Sequence, residues 1–123
     1  MNVYINIEIE KRELLSKILL SLESASKGNT VYLGKIVDLL LKGYFKPGIV
    51  LQKSLTPGIE RINELKFFEN KYFTVTSLDE EHGLLNQNNQ YTKTRFSEET
   101  LRLSYKVFCW GNCDYSRLVK IYP

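Results

Sequence analysis

Three carboxylates in a row, Asp79-Glu80-Glu81, are followed at once by the only histidine of the chain, His82, and by Gly83. Adjacent acids repel one another, so they must be solvated or find cations, and a carboxylate beside a hydroxyl is equipped to take its proton. The run follows Tyr72-Phe-Thr-Val-Thr-Ser-Leu78, whose β-branched and aromatic residues read as a buried strand. Asp79, Glu80 and Glu81 are therefore the candidate catalytic residues, with His82 and Gly83 beside them on the binding side. An ordinary solvated loop between strand and helix is the alternative reading of the same residues.

The elements that position these groups alternate along the chain. Val3–Ile9 alternates Val and Ile with polar residues, and then Leu14, Leu15, Ile18, Leu19, Leu22 and Ala25 fall on one apolar face of a helix. Gly28-Asn29 stops that helix, and Thr30–Leu33 follows as a second strand. A short helix over Lys35–Lys42, a third strand over Gly48–Gln52 and a helix running to Phe68 repeat the pattern. The last of these carries Ile59, Ile62, Leu65 and Phe68 on one face, and Thr56 with Pro57 predicts its N-cap and first turn. Beyond the fourth strand, Ser97 caps a short helix through Leu103, Tyr105–Trp110 reads as a fifth strand, and Cys113–Lys120 as a last helix. This alternation predicts an α/β fold: one Rossmann-like open, mostly parallel sheet of about five strands with helices on both faces, occupying residues 1–123 as a single domain.

In such a sheet ligands bind beyond the carboxyl ends of the strands. Glu8 and Arg12 follow the first strand, Lys53, Ser54 and Thr56 the third, Asp79 to Gly83 the fourth, and Trp110-Gly111 the fifth. A basic, hydroxyl-bearing segment would thus share one rim with an acidic cluster and an aromatic edge, a mixture suited to a sugar or sugar phosphate. The segment Lys53-Ser-Leu-Thr-Pro-Gly58 offers free amides to an anion, although Ser and Thr there also serve as simple caps. Arg12 reads either as a surface residue or as a partner of the acids, His82 as a solvated loop residue or a proton shuttle, and Trp110 as a core filler.

Composition narrows the classes. The chain has 123 residues, 43% hydrophobic and 25% charged, enough for one domain with a real core. Its net charge of +3 is spread along the sequence, so nucleic acid is not an expected partner. No signal sequence and no apolar run of about 20 residues is read, and the expected location is cytoplasmic. Cys109 and Cys113 are then expected as reduced thiols, and two cysteines with one distant histidine fall short of a metal site. The glycine-rich fingerprints for dinucleotides and nucleotide phosphates and the Gly-x-Ser-x-Gly elbow of hydrolases do not occur.

Several fragments together resemble a known family. Glu8 with Arg12-Glu13-Leu14 and Lys17, Pro47-Gly48-Ile49 followed by Lys53-Ser54-Leu55-Thr56-Pro57-Gly58, Leu78-Asp79-Glu80-Glu81, Arg95-Phe96-Ser97-Glu98-Glu99-Thr100-Leu101, and Trp110-Gly111 are similar, in order, to the bacterial surface carbohydrate biosynthesis proteins. Leu15 and His82 depart from the family pattern. The resemblance implies a GT-B-like architecture of two Rossmann-like domains, of which this chain would be the N-terminal, acceptor-side half, working in capsule or lipopolysaccharide assembly. It also implies a glycan or lipid-linked acceptor, peripheral association with the inner face of the cytoplasmic membrane, and a second Rossmann-like domain in the same or a neighbouring chain. No cofactor is expected in this chain, and an activated nucleotide sugar would be held by the other half. A non-catalytic glycan- or protein-binding domain is the alternative. A phospho-receiver-like domain is a third, disfavoured because strand three ends in Gln52-Lys53 rather than an acid.

Overall fold

The computed structural model describes residues 1–43, 46–81 and 89–123. Along them the elements run β1 (Asn2–Asn6), α1 (Glu10–Ser26), β2 (Thr30–Gly34), α2 (Ile36–Leu41), β3 (Ile49–Gln52), α3 (Ile59–Asn70), β4 (Thr74–Leu78), α4 (Asn89–Arg95), α5 (Glu98–Arg102), β5 (Lys106–Phe108) and α6 (Asn112–Ile121). The strands form one five-stranded sheet in the order β2-β1-β3-β4-β5, and every neighbouring pair is parallel. This is an open, Rossmann-like α/β sheet flanked by helices, in one of the two common doubly wound orders.

The chain leaves β1 for one flank of the sheet and returns to β3 on the other. With right-handed crossovers, that reversal sends α1 to one face and α2 and α3 to the opposite one. Tyr4, Val50 and Val75 stand in register on β1, β3 and β4, so their side chains share a face. There they pack with Ile36 and Leu40 of α2 and Leu65 and Phe68 of α3 as the main core. Burying a tyrosine requires a partner for its hydroxyl. Tyr4 donates to the carbonyl of Lys46 at 2.7 Å and accepts from its amide at 3.1 Å, while its ring stacks on Tyr32 at 4.6 Å. Close approach of β1 and β3 also needs Gly48: a Cβ there would lie 2.3 Å from the carbonyl oxygen of Asn2.

The structure differs from the sequence reading in four places. The leucine face of α1 does not cover the sheet; Leu15, Leu19 and Leu22 are 75%, 62% and 62% exposed, and Glu13 and Lys17 are the buried side chains of the helix. The reason is electrostatic. Lys53, Glu80 and the amide of Glu8 lie under that end of α1 and engage Glu13 and Lys17. Thr56 is not the N-cap of α3, which begins at Ile59 after Gly58. The Thr56 hydroxyl and amide are both committed to Ser54 Oγ, at 2.7 and 3.0 Å, in a local turn. Trp110 does not fill the core: it is 55% exposed, and its indole N–H donates to the carbonyl of Asp79 at 2.6 Å. The fourth strand also begins two residues later than read, because Tyr72 sits in the left-handed region at φ 61° as the chain leaves α3.

Candidate functional site

Because α2 and α3 leave the sheet around the β1/β3 switch, the carboxyl ends of these strands open into a crevice. It is a cleft of about 800 Å³. Asn6, Ile7 and Glu8 form its floor, Lys35, Val37, Asp38, Leu40 and Leu41 one wall, and Thr56, Gly58, Glu60, Arg61, Glu64 and Phe67 the other. The lining mixes an apolar wall with four carboxylates against two cations.

The polar end of the cleft is held by a continuous network. Asn6 ends β1 as a buried polar residue, and its carboxamide oxygen accepts from the amide of Ile36 at 3.4 Å while its NH2 donates to Gln52 Oε1 at 3.4 Å. Gln52, fully buried at the end of β3, donates to Glu64 Oε1 at 3.1 Å and accepts from Arg61 at 3.2 Å. Arg61 reaches Glu64 at 2.5 Å and Glu8 at 3.4 Å. The half-exposed Glu8 also meets Lys53 at 2.8 Å, and Lys53 continues to Glu13 at 3.2 Å. Glu13 is 1% exposed and accepts the amide of Glu8 at 3.0 Å. Burial alone would raise its carboxyl, but the Glu8 amide and Lys53 outweigh that and hold it below its ordinary value. Burial would likewise lower Lys53, and Glu8 and Glu13 more than reverse this, so its ammonium is held above its ordinary value. These groups stay charged because each is desolvated only in company.

A second constellation lies along the same rim, outside the lining of the cleft. Asp79, 2% exposed, receives Arg95 through two parallel bonds of 2.8 Å, to Oδ2 from Nε and to Oδ1 from Nη2. That fork raises the Arg95 pKa further, against the opposing effect of burial. Arg95 also donates to Ser54 Oγ at 3.2 Å, and the amide of Glu81 to Asp79 Oδ1 at 3.0 Å. Glu80 is paired with Lys17. Glu81 is the most open of the three acids, 3.5 Å from Arg12 and 3.4 Å from Arg95. Arg12 thus takes the second of its two readings, as a partner of the acids.

Of the residues singled out from the sequence, Glu8, Thr56 and Gly58 line the cleft, and Lys53 supports Glu8 from behind. Ser54, Arg12, Trp110, Asp79, Glu80 and Glu81 belong to the neighbouring constellation. Gly111 is the N-cap of α6, and the amide of Trp110 just before it donates to Asp114 Oδ2 at 3.2 Å. His82 and Gly83 lie outside the described residues. Asn6, Gln52, Arg61, Glu64 and Arg95 were missed. Two carried a usable signal: Asn6 and Gln52 are polar residues ending otherwise apolar buried strands, and such groups are kept only with partners. Among the described residues no three His, Cys, Asp or Glu side chains are grouped to hold a metal ion, and no helix is long and apolar enough to cross a membrane.

No protein family, curated protein or solved structure matches this chain.

Proposed function

We propose that this domain binds a sugar of a glycan acceptor in the cleft between α2 and α3, as the acceptor-side part of a glycosyltransferase-like enzyme of bacterial surface polysaccharide assembly. One observation carries the reading. The cleft sets Glu8, Arg61 and Glu64 opposite Val37, Leu40 and Leu41 at the strand switch point, with Phe67 one turn beyond Glu64. A sugar ring has the same division, with hydroxyls at its edge and C–H groups on its faces. Carboxylates and a guanidinium held rigidly by one another can bind adjacent hydroxyls in pairs, while an aromatic and aliphatic wall receives the ring face. The preponderance of carboxylates disfavours a phosphate-bearing donor and favours a neutral acceptor. In a transferase the rim acids Asp79, Glu80 and Glu81 would act on the acceptor hydroxyl. Of these Glu81 has the freest carboxylate, since Asp79 is closed by Arg95 and Glu80 by Lys17. Those two closures favour the second reading, a glycan-binding domain without catalysis.

The test is a titration followed by ¹⁵N-resolved NMR, using methyl glycosides of glucose, galactose and N-acetylglucosamine beside uridine diphosphate. At least one glycoside is expected to shift the amides of Asn6, Glu8 and Arg61, saturating at about 1–10 mM, with Glu8→Gln weakening it and Glu81→Gln leaving it unchanged. Cleft resonances that move with uridine diphosphate and with no saccharide would sink the acceptor reading.

A further inference from the structure

Helix α1 presents two unlike faces. The side turned to the sheet carries Glu13, Lys17 and the half-buried Ser21 and Ser24, with the half-buried Leu14 beside them, and is largely polar. Leu15, Ile18, Leu19 and Leu22 recur at intervals of three and four residues on the other side, and each is more than a third exposed. Among the described residues none covers this stripe. Four leucine-class side chains on two turns of one helix make a patch of a few hundred Å², the size at which exposed apolar surface marks an interaction site. The usual explanation of a leucine stripe, that it packs on the domain's own core, is excluded here by the buried ion pairs on the opposite face.

We propose that this face is the contact between two copies of the chain, with the α1 helices antiparallel about a twofold axis. Charge placement selects the occupant. Lys11 stands at the N-terminal end of the stripe and Glu23 at its C-terminal end. The antiparallel register that sets Leu15 of one copy against Leu19 of the other also sets Lys11 against Glu23, twice by symmetry. A parallel pair would oppose like charges instead. A leucine seam flanked by complementary charges is how helix pairs specify one another. An anionic lipid surface fits less well, because the flanks carry Glu10 and Glu23 as well as Lys11, Arg12 and Lys27. Glu23 now pairs with Lys27 at 2.8 Å within its own helix; both side chains are exposed and free to turn to a partner. The contact lies on the face of the sheet opposite α2 and α3, so dimerisation leaves the cleft open.

Sedimentation equilibrium from about 1 to 500 μM tests the proposal, with circular dichroism as the control on folding. The chain is expected to pass from monomer to dimer within that range. Leu19→Glu is expected to stay monomeric throughout with an unchanged spectrum, since its side chain is exposed in the monomer. Lys11→Glu and Glu23→Lys should each weaken the dimer about tenfold, and the double exchange Lys11→Glu/Glu23→Lys should restore it. A wild-type monomer at 500 μM overturns the proposal, whether or not it floats with phosphatidylglycerol vesicles. So does a dimer that Leu19→Glu leaves intact, or a double exchange that fails to recover what the single ones lose.

Discussion

Lys53 joins the two ends of the polar rim, because it is the cation shared by Glu8 at the mouth of the cleft and Glu13 beneath α1. Removing one member of a buried ionic set leaves the others desolvated without compensation. Lys53→Met is therefore expected to cost about 3 kcal/mol of folding stability, measured by urea unfolding at pH 7. The pH dependence follows from the directions of the two shifts. The Glu13 carboxyl is lowered from 4.5 in the folded chain, so its contribution is present above that value and is lost as pH falls through the folded value. The Lys53 ammonium is raised from 10.5, so its contribution is present below that value and is lost as pH rises through the folded one. In Lys53→Met the alkaline loss should vanish and the acid loss should shrink; unfolding curves that keep both limbs would refute the linkage. At this scale the sequence was partly legible. Glu8 and Lys53 were readable because each stands within two residues of a strand end, and Arg12 because it lies in the first turn of the helix that follows β1. Arg61 and Arg95 were not, because each stands farther along the chain from the strand before it, and only the fold brings them to strand ends.

Among the elements, β1 and β3 show what their pairing demands of single positions. Gly48→Ala places a methyl group against the backbone of Asn2, at the start of both strands, where nothing flexible can yield. The expected cost is about 1–3 kcal/mol, seen as a lower midpoint of thermal unfolding with the sheet signature retained. An unchanged midpoint would mean that the strands can part without loss. Element types were legible from periodicity and turn residues almost throughout, from the β-branched run of β4 to the capping box of Ser97 and Thr100 that opens α5. Orientation was less so. The leucine periodicity of α1 identified a helix correctly, yet which of its faces meets the sheet depended on charges more than thirty residues away in Lys53 and Glu80. The N-cap of α3 was misread for a related reason: Thr56 and Ser54 satisfy one another, a local competition that pattern alone does not rank.

For the whole molecule, the alternation of strand and helix sufficed for a parallel α/β sheet, since strands separated by helices have few other solutions. The strand order was not legible, because the same alternation is compatible with several windings. That order has a kinetic consequence. Among the described residues no two strands are joined by a hairpin; the nearest pairing in sequence, β3 with β4, already aligns Ile49 with Thr74, and β1 with β3 aligns Val3 with Ile49. Chains dominated by such distant contacts fold in milliseconds to seconds instead of microseconds. The central strands β1, β3 and β4 each take part in two of the four pairings, whereas β5 takes part in one, so the barrier should be crossed among the central strands with β5 added afterwards. Ile5→Val is then expected chiefly to slow refolding and Val107→Ala chiefly to speed unfolding in stopped-flow measurements. The reverse assignment would show that the sheet grows from its far edge inward. Where the central strands form first, the strand that places Asn6 and Glu8 at the cleft is set before the far edge of the sheet closes.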